Sequence, residues 1–178
     1  MQDRKPISNV TAGIIIGAVM ILLSCISIYL TNRGSNSSAS SAVQWLTYLI
    51  MIAGLIVFIN MYGKAMDYRE SFGNLFSYGF KTTAVLTLLI IAFVVLFNVI
   101  FPDFKEKGME MARQRMEEQG KLSESQMDQA IQITRKYFWV FAIGGTILGN
   151  LIIGAIGSLI GAAVTKKRPY NPLDQLNS

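Results

Sequence analysis

Four stretches of the chain, residues 10–30, 43–62, 82–101 and 138–164, contain no Asp, Glu, Lys, Arg or His; every charged residue falls between or beyond them. A bilayer's hydrocarbon core is about 30 Å thick, so a helix rising about 1.5 Å per residue crosses it with about 20 apolar residues. Each stretch meets that length. The pattern predicts an all-α integral membrane bundle of four transmembrane helices in one domain, residues 1–178. The last stretch is the longest and carries two glycine pairs at four-residue spacing, Gly145/Gly149 and Gly157/Gly161, with Ser158 beside the second. Gly13 and Gly17 repeat the spacing in the first stretch. Small residues four apart share a helix face and let backbones approach closely, which drives helix association in lipid. These seven residues are the predicted packing face, and the last span is expected to be the packing centre.

The segments between the spans differ in character. Residues 31–42 are rich in Ser, Asn and Gly with one charge, Arg33, and read as a short loop. The second span is entered through Trp45 and Tyr48 and left through Tyr62, matching an aromatic belt. Residues 64–81 bring Asp67, Arg69 and Glu70 together; they read as an interfacial turn rather than a binding cluster, with Gly73 expected to end the helical extension of the second span. Residues 102–136 hold seven Lys or Arg and seven Asp or Glu and predict a helical hairpin over about 103–136. Pro102 opens it and Gly120 closes its first helix. Ser123 and Gln126 form a capping box for the second, with Leu122 and Met127 as a hydrophobic staple. From there Met127, Ile131, Thr134 and Phe138 follow at helical spacing into the last span, so that helix is expected to be continuous with it. The Met127, Ile131 and Thr134 stripe is either a face for a partner or the underside of a hairpin folded on itself or on the membrane.

Composition narrows the chemistry. The chain is 52% hydrophobic and 15% charged, outside the balance of a soluble domain. Its net charge of +5 comes from segments outside the spans, so membrane lipid, not nucleic acid, is the expected partner of the positive charge. With no histidine and one cysteine, Cys25, neither a Cys/His metal site nor a Ser/His or Cys/His pair can form, and no cofactor is expected. Leu22-Leu23-Ser24-Cys25 resembles a lipobox, but the apolar run continues through Leu30, so the first span is expected to stay uncleaved with an unmodified thiol. An enzyme would need proton-transfer groups that the spans lack. By elimination the chain reads as a non-catalytic accessory, scaffold or assembly subunit, partnered by another membrane protein or by itself. The alternative is a small homo-oligomeric channel or transport component, with Asn150 and Ser158 as its polar pathway.

The Tyr68-Arg69 step, the Phe72-Gly73…Phe76…Gly79 pattern entering the third span and the Phe101-Pro102-Asp103-Phe104 exit are distinctive in combination. With the Met116…Gly120-Lys121-Leu122-Ser123 turn and the terminal IIGAIGSLIGAAVTKK they resemble the domain of unknown function 4199 over nearly the whole chain. That resemblance implies a four-span protein of the bacterial inner membrane and carries over no catalytic residue. Four spans place both termini on one side. Lys and Arg number eight on each side, but the terminal side holds its eight in short segments flanking spans, so cytoplasmic termini are expected.

Overall fold

A computed structural model of the chain describes residues 6–32 and 37–167. It is all-α: α1 (Asn9–Asn32), α2 (Ser37–Ala65), α3 (Phe72–Ile100), α4 (Asp103–Gln119), α5 (Glu124–Lys136) and α6 (Phe138–Val164). Four of these, α1, α2, α3 and α6, are long and apolar enough to cross a membrane. Their outward side chains are large and apolar, Leu22, Trp45, Leu88 and Leu148 among them, each more than 60% exposed. In water such a surface would aggregate; in lipid it is the matched one. Cys25 belongs to this outer surface rather than to the protein interior, and α1 runs unbroken beyond it.

The helix ends show how local chemistry shifts the boundaries read from hydropathy. The loop expected over 31–42 is shorter, because α1 extends to Asn32 and α2 starts at Ser37; Arg33 lies outside the described residues. Gly73 does not end α2. That helix stops at Ala65 in a Schellman-type turn: the Tyr68 N–H donates to the Gly63 carbonyl (2.8 Å) and the Asp67 N–H to the Lys64 carbonyl (3.2 Å). Asp67 and Tyr68 both take left-handed backbone, with φ of 53° and 57°, where glycine is the usual residue. Gly73 instead sits in the first turn of α3, whose N-cap is Ser71, its hydroxyl accepting from the Asn74 N–H at 3.2 Å. The polar start of α3 continues the helix ahead of its apolar run, which is why hydropathy placed the entry later.

The predicted caps of the polar segment are present. Gly120 adopts φ 60° at the end of α4 and donates its N–H to Glu117. Ser123 caps α5 with the reciprocal bond, its N–H donating to Gln126 Oε1 at 2.9 Å. Removing that cap as Ser123→Ala is expected to destabilise the first turn of α5 by about 1 kcal/mol, so its amides should exchange hydrogen roughly fivefold faster. Amide exchange by mass spectrometry checks it; unchanged rates would mean the turn is held by something other than its cap. The helix expected to run from α5 straight into α6 has a one-residue irregularity at Tyr137 (φ −108°, ψ 25°). Tyr137 still bonds to both helices, its N–H donating to Ile133 and its carbonyl accepting from the Phe141 N–H, each at 3.0 Å.

The structure divides into two compact units, Met1–Thr87 with Asn150–Ser178, and Leu88–Gly149. The first contains α1, α2, the start of α3 and the end of α6. Met51, Leu55 and Ile59, one turn apart on α2, are fully buried there with Leu75 and Leu86 of α3. The starts of α1 and α3 and the ends of α2 and α6 share one end of this unit: the Tyr78 hydroxyl donates to the Ile7 carbonyl (3.0 Å), and Thr165 packs against Gly63. The second unit holds α4 and α5 in opposite directions, fixed by ion pairs from Arg113 to Asp128 (3.0 Å) and from Arg135 to Glu106. Phe97, Phe101 and Phe104 cluster where α3 meets α4.

Candidate functional site

Two places in the first unit concentrate polar groups. The first is the seam between α3 and α6. A Cβ built on Gly154 would lie 2.1 Å from Thr83 Cγ2, and one on Gly79 would lie 2.7 Å from Ser158 Oγ, so each helix supplies the small residue that admits the other's hydroxyl-bearing side chain. These two contacts set an antiparallel register in which Asn150 is level with Thr87. Thr82, Thr83, Ser158, Thr87 and Asn150 are all buried. In a dry interior a free hydroxyl costs about 1–3 kcal/mol, and a threonine on a helix avoids this by donating to the carbonyl one turn back. Thr82 donates to Tyr78 (2.9 Å) and Thr83 to Gly79 (3.0 Å). Thr87 Oγ1 and Ser158 Oγ have no partner among the described residues.

The remaining face of α6 meets α2. A Cβ on Gly157 would reach Leu55 Cδ1 at 2.9 Å, and one on Gly161 would reach Ile59 Cδ1 at 2.6 Å. Gly13 of α1 brings that helix against Val85 of α3, with a built Cβ at 2.7 Å from the valine Cβ. Gly17 is buried as well. At Gly145 and Gly149 nothing described lies within 4 Å of a built Cβ. The close approaches missed in the sequence include Gly154 and Gly79 at the α3–α6 seam, and Gly63 and Gly54 on α2. The signal for the first was present, since Gly154 stands four residues before Ser158, but a search restricted to glycine pairs passes over glycine–serine spacing.

The pathway residues Asn150 and Ser158 both point into the chain's own interior, Ser158 with no exposed surface and Asn150 with 6%. A pore between copies needs side chains on an outer face, and neither residue supplies one. The stripe offered as a partner face is also turned inward. Met127 is buried, Ile131 and Thr134 are half-buried, and the ion pairs bring Met109, the buried residue of α4, level with Ile131 and Gln132. The stripe is therefore the covered side of α5, while Met111, Leu122 and Ile133 are the exposed apolar residues.

The second polar place is a cavity of about 360 Å³ where α1 begins, lined by Pro6, Ile7, Ser8, Asn9, Tyr62, Asn74, Ser77, Tyr78 and Lys81. It exists because α1 starts level with Tyr78, while α3 begins at Phe72 and so projects about 9 Å further at 1.5 Å per residue. The wall of this step is formed by Asn74, Ser77, Tyr78 and Lys81, which helical periodicity gathers on one side of α3. Tyr62 stacks on Tyr78 with ring centroids 4.3 Å apart and planes 11° from parallel, fixing the back of the cavity. Ser8 is the N-cap of α1, its hydroxyl accepting from the Thr11 N–H at 3.0 Å.

The sequence profile of DUF4199, a protein family of unknown function, matches residues 11–167. The chain belongs to the DUF4199 family. No curated protein and no solved structure matches it. The DUF4199 match takes in all four apolar helices together with α4 and α5, so the seam and most of the cavity lining are parts of the family's shared region.

Proposed function

We propose that this DUF4199 protein is a non-catalytic, multi-pass protein of the bacterial inner membrane, serving as an accessory, scaffold or assembly subunit. In this reading glycine-rich packing holds the spans, and α4 with α5 forms a helical hairpin on the side opposite the cytoplasmic termini. The observation that carries the reading is the chemistry of the seam: its buried polar groups are four hydroxyls and one amide, none of which titrates near neutral pH or offers a general base. Transporters and intramembrane enzymes are built around ionisable side chains in that position. What the chain does offer is a charged helical pair locked at two levels by ion pairs, with separate apolar side chains left outward. Its partners are lipid and either another membrane protein or a second copy.

Purification from native membranes in mild detergent, with stoichiometry read by native mass spectrometry, tests the role. A complex of fixed stoichiometry with one other membrane protein is expected, lost when Met111, Leu122 and Ile133 are replaced together by serine. A homo-oligomer unaffected by those changes would favour the channel alternative instead. Limited proteolysis of right-side-out and inverted vesicles tests the topology, with cleavage in 106–135 expected only from outside; cleavage only from the cytoplasmic side would reverse it.

A further inference from the structure

We infer that the cavity at the start of α1 is a binding site for a phosphate ester, the group carried by a phospholipid at the membrane surface. Its position and its charge carry this. The cavity lies at the end of the first unit, where Lys81 of α3 closes the polar approach and the uncharged run 82–101 begins. A side chain at that level meets the headgroup layer, where lipid phosphates are found. Among the described residues the lining contains one cation and no carboxylate. Lys81 forms no ion pair among the described residues, unlike Arg113 and Arg135 of the polar segment. The nearby acid on α3's approach, Glu70, is already held by Asn74, whose Nδ2–H donates to it at 2.6 Å.

The other groups fit a tetrahedral anion beside an acyl surface. The Ser77 hydroxyl stands one turn before Lys81 on the same helix, and both line the cavity, so an ammonium and a hydroxyl can donate together to one phosphate. The Tyr78 hydroxyl is committed to Ile7, which leaves the Tyr62 and Tyr78 rings as an apolar back against which glycerol and the first acyl carbons can lie. Further positive charge stands at the same end, on Lys64, Lys166 and Lys167, the last over the Phe72 ring at 5.5 Å. Those cations draw anionic species toward the end, and the cavity selects the phosphate.

The test uses the full-length protein in detergent, titrated with phosphatidylglycerol and read as bound-lipid peaks by native mass spectrometry. Lys81→Gln is expected to weaken the tightest lipid by about tenfold, the worth of one charge-assisted bond. Ser77→Phe, which fills the cavity from a half-buried position, should do the same, while Lys64→Gln, exposed and outside the lining, should change affinity by less than about twofold. Inorganic phosphate is the second arm. If it displaces the lipid from the unaltered protein and binds it with the same Lys81 dependence, the site reads free phosphate as well as lipid phosphate. If Lys81→Gln and Ser77→Phe weaken lipid no more than Lys64→Gln does, the binding is diffuse surface attraction and the inference is wrong.

Discussion

Gly154→Leu is expected to abolish folded protein in detergent, whereas Gly149→Leu is expected to leave it nearly unchanged. The two glycines lie on one helix and hydropathy treats them alike. Their surroundings do not: a Cβ at Gly154 would stand 2.1 Å from Thr83 Cγ2 and 2.8 Å from Thr83 Cβ, while at Gly149 it meets nothing described within 4 Å. Thr83 cannot turn aside, because its Cβ is fixed to the backbone and its hydroxyl is bonded to Gly79. The helices must separate, which forfeits the packing that holds them in lipid. Even Gly154→Ala should cost about 3 kcal/mol, the upper range for overpacking, and Gly149→Ala less than about 0.5 kcal/mol. The monodisperse fraction in size exclusion and the thermal midpoint of each variant measure this. Equal tolerance at both positions would remove the seam from the account of the fold.

The second large effect is a compensation. Gly79→Ala places a methyl 2.7 Å from Ser158 Oγ and 2.6 Å from Ile59 Cδ1. The isoleucine tip can rotate away, but the serine hydroxyl is enclosed, so the alanine is expected to lower the thermal midpoint clearly. Adding Ser158→Gly removes that obstacle and also removes a buried hydroxyl that bonds to nothing described. The double variant should recover most of the loss, a coupling of about 1–2 kcal/mol between touching residues. Ser158→Ala alone should be neutral or stabilising, since it deletes an unsatisfied polar group and keeps the volume. Additive losses in the double variant would mean the two residues do not meet.

The fold was legible because its cause is local. A charge-free run of bilayer length must be a helix in lipid, since no other open structure satisfies its backbone there, and this fixed α1, α2, α3 and α6 without tertiary information. Ser123, Gln126 and Gly120 were legible for the same reason, each cap being a bond between residues three apart. The seam was not. Which of several equally small residues on α6 meets another helix depends on where Thr83 and Gly79 stand on α3, a matter of register between segments far apart in sequence. Asp67 and Tyr68 escaped notice differently, because a left-handed turn without glycine leaves no mark in composition. The cavity was hidden because it is the offset between two helix starts, and the apolar pattern located the start of α3 ten residues late, at 82 rather than 72.

The one-residue junction between α5 and α6 at Tyr137 has a mechanical meaning. A slack tether would let a load on α5 dissipate before it reached the membrane. Here a single residue bonded to both helices joins α5 to α6, and the Arg135–Glu106 and Arg113–Asp128 pairs brace α5 against α4. A load on α4 and α5 therefore reaches α6 across one residue instead of being lost in a slack linker.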